Sequence, residues 1–253
     1  MGLPKILIAA PTYEGKDYCL DEWMLNVANF AYPKNKIEIY LADNSSSNKY
    51  ALYINRKYGI KVHWQDYTGL PLFEKMARCH EQCRQYAIEN HFDYLFHLET
   101  DVFPNYRVLT DLLFARKNII SGVYSILGGA IREICVKEVQ RGEPFDNKFA
   151  NSSSLGIKPY HYIDGTVKPC LTAGIGCVLI HKKIFKQFKF RWDSTFVHSK
   201  YAHSTPAPDS FFTDDLYKGN QIYWLHTGVH AYHWNLEDWG KYNNLIKYDK
   251  YKE

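Results

Sequence analysis

Short apolar runs of strand length alternate with stretches of helical periodicity along most of the chain. KILIAA (5–10) is followed by an amphipathic stretch over 18–30 and, past a break at Pro33, by KIEIYLA (36–42). A helix over 49–58 precedes IKVHW (60–64), and a long helical stretch from about Pro71 to Asn90 leads into YLFHL (94–98). VLTDLLFARK (108–117) reads as a further helix and NIISGVYSI (118–126) as a further strand. Regular exchange of strand and helix predicts an α/β fold: a mostly parallel sheet covered by helices on both faces.

The pattern loosens over 128–169, where Gly128, Gly129, Gly142, Pro144, Ser152–Ser154, Gly156 and Pro159 mark loops and short elements. Order returns at LTAGIGCVLI (171–180), followed by a helix over HKKIFKQF (181–188). HSKYAHSTPAP (198–208) reads as a mobile loop. A short helix from Asp209, a strand IYWLH and a second strand GVHAYHW follow. No internal repeat is visible. The expected organisation is one domain over 1–253, in two halves, 1–103 and 104–253.

Composition sharpens this only in places. Hydrophobic residues make up 46% and charged residues 23% of the 253, ordinary globular values that exclude a disordered chain. The aromatic share of 16%, with 21 tyrosines, is high and suits both core packing and stacking of sugars or bases. A formal charge of +4 is too small to indicate a nucleic-acid partner. The six cysteines form no CxxC pair and read as reduced, buried thiols. KILIAA is too short for a signal-peptide core, the start MGLPKI lacks the Ser/Thr of a myristoylation signal, and no run reaches transmembrane length. A cytoplasmic location is the expectation.

The chemistry sits where parallel strands should end, the edge at which open α/β sheets bind ligands. PTYEG follows the first strand, DNSSSN the second and ETD the fourth, while TAGIG introduces a later one. Singly, each has a structural explanation: a carboxylate after a strand caps a helix, and glycines serve turns. Glu99 and Asp101 are more demanding. Two apart on a strand, they point to the same side, and like charges held that close need a positive partner. Hard oxygen ligands suit Mg²⁺ or Mn²⁺, and adding an imidazole leans toward Mn²⁺. His226, His230 and His233 are the histidines near the C-terminus that are available for this.

The sequence as a whole resembles the GT-A glycosyltransferases of the family-2-like kind. PTYEG, LADNSSSN, HLETDVFP, LTAGIGCVLIHKKIF and DSFFTDDLYKGNQIYWLHTGVHAYHWN occur in that family's order, with 128–169 the thinnest part. The resemblance implies a GT-A (Rossmann-like) domain with a smaller antiparallel acceptor-side sheet, and a UDP-linked or other nucleotide-sugar donor bound through a divalent metal. It places Pro11, Thr12 and Glu14 in the nucleotide pocket and Asp43 on the base. ETD takes the position of the DxD motif, with Asp101 as metal ligand. Glu99, replacing the usual first Asp, serves as a ribose-facing partner or further ligand. Thr100 and Gly174 lie beside the donor, and Arg78 and Lys75 reach toward its diphosphate. Alignment to the family's closing V-x-x-G-H pattern points to His233, with His230 as runner-up.

Inverting members use an Asp, usually in an E-D pair opening a helix, as the base that deprotonates the acceptor. Asp209 falls at that register, although Pro208 replaces the Glu; Asp214 and then Asp215 are the alternatives. Lys182, Lys183, Lys186, Lys189 and Arg191 form a basic stripe best read as the solvated face of a helix. The main expectation is a metal-dependent transfer of sugar to a hydroxyl of a glycan or other acceptor. Two others stand beside it: the same chemistry on a modified base of phage-type DNA, and an inactive nucleotide-sugar or glycan-binding module.

Overall fold

The computed structural model describes residues 2–128, 131–134, 136–138, 164–193 and 207–234. Most of the loosely patterned region, most of the 198–208 loop, Cys135 and the tail 235–253 lie outside the described residues.

Strands β1 (Ile6–Thr12), β2 (Ile37–Asp43), β3 (Lys61–Trp64) and β4 (Tyr94–Leu98) are joined by helices α1 (Asp17–Ala28), α2 (Lys49–Tyr58) and α3 (Leu72–Glu89). All four strands are parallel, in the order β3-β2-β1-β4. The nearly continuous apolar sequence of β1 and β4 follows from burial on both faces, whereas the edge strand β3 exposes Lys61 and His63. One face packs Leu7, Ala9 and Leu95 against Cys79, Cys83 and Ala87 of α3. The other packs Ile6, Ile8 and Phe96 against Leu20 and Trp23 of α1 and Ile54 of α2. Helix α2 ends at Gly59, whose φ of 66° is the left-handed conformation that stops a helix cleanly.

After β4, a tight turn leads to β5 (Val102–Pro104), helix α4 (Val108–Phe114), and strands β6 (Ile119–Gly128), β7 (Ile131–Ile134) and β8 (Val136–Glu138). Then come β9 (Val167–Ala173), β10 (Cys177–His181), α5 (Lys182–Phe185), α6 (Pro208–Lys218) and β11 (Tyr223–His233). The sheet continues β4-β10-β6-β11-β9-β8, with β10 antiparallel to β4 and β6, and β11 parallel to β6. The result is a mixed α/β fold whose sheet is parallel over β3-β2-β1-β4 and mixed beyond β4.

LTAGIGCVLI spans the end of β9, a turn at 174–176 and the start of β10, so TAGIG introduces a strand as expected. Two expectations need correction. IYWLH and GVHAYHW are one strand, β11, whose pairing with β6 shifts between His226 and His230; Gly228 marks this irregularity and does not break the strand. The helix over HKKIFKQF shrinks to four residues, α5, with Ile184, Phe185 and Phe188 buried. Cys19, Cys79, Cys83, Cys170 and Cys177 are buried free thiols, as expected. Among the described residues no helix is long and apolar enough to cross a membrane.

Candidate active site

In-register parallel pairing brings the carboxyl ends of β1, β2 and β4 to one edge, with Thr12 opposite Asp43. Because β10 runs backwards, its first residue, Cys177, pairs with Leu98, so the TAGIG turn joins the same edge. There a cleft of about 330 Å³ opens, lined by Pro11, Thr12, Tyr13, Lys16 and Asn44, by the start of α3, and by Glu99, Thr100 and Asp101.

The ETD turn is built from backbone hydrogen bonds. Glu99 N–H donates to the Gly176 carbonyl at 3.0 Å, and Val102 N–H to the Glu99 carbonyl at 3.0 Å. Strand β5 then pairs with the end of β11, setting Val102 opposite His233, while Trp234 N–H donates to the Asp101 carbonyl at 2.7 Å. That pairing carries a histidine from far along the chain to the two acids. Glu99, Asp101 and His233 each offer a ligand atom, all within 4.8 Å of one another. His230, three residues earlier on the strand, points to the opposite face.

The positive partner of the two acids is Lys16. Its ammonium donates to Asp101 Oδ2, which also lies 3.4 Å from His233 Nε2. The other oxygen, Asp101 Oδ1, is buried without a hydrogen-bond partner among the described residues, as is Thr100 Oγ1. Buried carboxylate oxygens are rarely left so; together with the imidazole and the second carboxylate, this one fits a divalent cation.

Burial works against charge throughout the cluster. It lowers the Lys16 pKa, but Asp101 and Glu99 outweigh it and hold the ammonium above its ordinary value. It raises Asp101, yet the hydrogen bond and charge of His233, followed by Lys16, hold that carboxyl below the usual range. His233 rises because Asp101 overcomes its burial. Only Glu99 goes the other way, pushed up to about 7 by burial and by the Asp101 charge. The folded state therefore favours protonated Glu99, and its contribution to stability is lost as pH rises from the ordinary carboxylate range through about 7. Glu99→Gln mimics the protonated form. In chelator, it should melt about 2–4 °C above wild type near pH 8 for each kcal/mol gained, and level with wild type at acidic pH. Equal melting temperatures near pH 8 would contradict this assignment.

The sequence-derived candidates divide. Pro11, Thr12, Glu99, Thr100 and Asp101 line the cleft, and so does Lys75. Glu14 is exposed and accepts from Ser46 Oγ at 3.0 Å. Asp43 is fully buried beneath the DNSSS turn, accepting from Ser45 N and Oγ at 2.9 and 2.5 Å, so its neighbour Asn44 faces the cleft. Arg78 is exposed and pairs with Glu74 at 2.7 Å along a separate groove.

Gly174 packs behind the site, where a Cβ would meet Tyr124 Oη at 1.9 Å. Gly176 is the glycine that touches the acids, since its Cβ would lie 3.1 Å from Glu99 Oε2. Asp209, at the first turn of α6, is half-buried, and its charge acts on Glu99. Asp214 lies about 140° further round the helix and pairs with Lys218 at 2.6 Å; Asp215 pairs with Arg191. Sequence reasoning missed Lys16, Asn44, His80 and Gly176. Lys16 alone had a signal, the unanswered need for positive charge beside ETD.

No family model matches the sequence, and no curated protein matches it. Solved structures do match in fold. A197 from STIV has 12% identity and a TM-score of 0.50, over 92% of this chain and 87% of that one. S. aureus TarS 1-349 in complex with UDP has 14% identity and a TM-score of 0.53, over 90% of this chain. The same protein with UDP-GlcNAc has 13% identity and a TM-score of 0.53, over 91% of this chain. The chain spans 60% and 59% of those two TarS chains. At these identities the likeness is one of fold, the Rossmann-like arrangement expected of a GT-A domain.

Proposed function

We propose that the protein is a metal-dependent glycosyltransferase that moves a sugar from a UDP-linked donor to a hydroxyl of a glycan acceptor, with inversion. The observation that carries this is the cluster of buried Asp101 with half-buried Glu99 and His233 at the carboxyl edge of the sheet. It is supported by a fold shared with TarS, which has been solved with UDP-GlcNAc. Asp101, His233 and Glu99 would hold Mn²⁺ or Mg²⁺. The bound ion would supply Lewis acidity to the departing diphosphate.

The chain's own residues do the rest. Lys16 and Lys75 line the cleft and offer fixed positive charge to the diphosphate. Pro11, Thr12 and Asn44, in the half spanning 1–103, form the wall for the nucleoside. The half spanning 104–253 presents the acceptor, with β8, β9 and β11 as its antiparallel part. Asp209 takes the proton of the acceptor hydroxyl as that oxygen bonds the anomeric carbon. The bond from that carbon to the diphosphate breaks, and its electron pair leaves on the phosphate oxygen.

Incubation with Mn²⁺, a panel of nucleotide sugars and glycan acceptors should release nucleoside diphosphate, most with a UDP-sugar. Binding of the donor with no turnover in the presence of any acceptor would make the protein a nucleotide-sugar-binding module instead. Acceptor binding that weakens steeply with added salt would favour a DNA acceptor.

A further inference from the structure

Beneath the cleft lie two histidines in contact, their rings tilted by 45°, that the proposed chemistry does not use. His80, from α3, lines the cleft and is 1% exposed; His97, from β4, is fully buried. His97 Nδ1 lies 2.7 Å from the Ile175 carbonyl oxygen, and His97 Nε2 lies 2.6 Å from His80 Nδ1. Among the described residues His80 Nε2 has no hydrogen-bond partner.

The chain of contacts fixes both tautomers. A carbonyl oxygen only accepts, so His97 Nδ1 must carry the proton. With no counter-ion beside them among the described residues, rings this deeply buried are neutral. His97 Nε2 is therefore an acceptor, and His80 Nδ1 must donate to it. That leaves His80 Nε2 as a bare lone pair at the cleft wall, a buried acceptor that a protein rarely leaves unsatisfied.

We infer that His80 Nε2 reads a hydrogen-bond donor on the nucleoside part of the ligand, with Ile175 and His97 locking it in the accepting form. The inference rests on the donor-site reading above. Within the cleft His80 lies beside Leu72 and Met76, at the start of α3, whose apolar side chains suit a base. The donor is then an imide N–H of the kind uracil carries, or a ribose hydroxyl. A base with a bare ring nitrogen at that position would face lone pair against lone pair and bind less well.

Two measurements test this. In the ligand-free protein, long-range ¹⁵N–¹H spectra should show both rings protonated on Nδ1; a proton on His80 Nε2 would overturn the inference whatever the protein binds. Calorimetry with Mn²⁺ should then compare UDP, N3-methyl-UDP and 2′-deoxy-UDP. His80→Phe should weaken UDP about 10-fold, to the level of whichever analogue lacks the relevant donor, and leave that analogue's affinity unchanged. His80→Gln, which keeps an acceptor, should recover part of the loss. If wild type binds UDP and His80→Phe binds it equally well, the role of His80 falls while the donor site stands. If wild type binds no nucleoside diphosphate, the donor-site reading falls and takes this inference with it.

Discussion

Asp101→Ala should remove the Mn²⁺-dependent part of UDP binding, lowering affinity at least about 100-fold, since changes one shell further from a metal already lose 10–100-fold. Asp101 is 2% exposed, and its two oxygens have different surroundings. Oδ2 is shared between Lys16 and His233, whereas Oδ1 has no partner among the described residues. Truncation removes the carboxylate that Lys16 donates to and that lies 3.4 Å from His233. Glu99 and His233 would then be left without the carboxylate between them, and Lys16 without its hydrogen-bonded partner. Titration of UDP with Mn²⁺ and with chelator separates metal-dependent from metal-independent affinity. A thermal melt of Asp101→Asn, which keeps the shape, checks that the fold survives. Retained Mn²⁺-dependent affinity in Asp101→Ala would refute its role as ligand.

Much of this was legible in the sequence because it depends on local order. The runs ILIAA, IEIYLA and YLFHL are apolar on both sides of the strand, and only a doubly covered sheet accommodates that. The acids after YLFHL therefore had to lie at the sheet's carboxyl edge, and there they lie. What stayed hidden depends on contacts between distant segments. Sequence shows no reason for β10 to run antiparallel, yet that reversal brings Gly176 against Glu99. The pairing of β5 with β11 distinguishes His233 from His230, and only the resemblance to a family hinted at it. Arg78 and Lys75 sit three apart on one helix, but Glu74 holds Arg78 away while Lys75 lines the cleft. The question raised by ETD itself has a partial answer in the fold: Lys16, only a few residues after β1, already neutralises one of the two acids.

Asp209→Asn should leave UDP-sugar binding close to wild type and slow transfer about 10²–10⁴-fold, the usual range for losing a general base. Position on the helix supports Asp209 over its neighbours. It follows Pro208 at the start of α6, where a missing N–H does no harm and a carboxylate is favoured by the helix dipole. Its side chain accepts from Ser210 N–H at 2.9 Å, which holds the carboxylate at the helix end. Its charge acts on Glu99, raising that carboxyl further. Asp214 and Asp215 are instead engaged by Lys218 and Arg191. The Asn side chain keeps the shape and the accepting oxygen but takes up no proton at neutral pH. Donor affinity measured by calorimetry should thus separate from the transfer rate measured by nucleotide release. Asp214→Asn, the control on the same helix, should retain most of the transfer rate. Normal transfer by Asp209→Asn, with Asp214→Asn inactive, would move the base to Asp214. Normal transfer by both would argue against a base on α6 and for retention of configuration at the anomeric carbon, which the stereochemistry of the product reports directly.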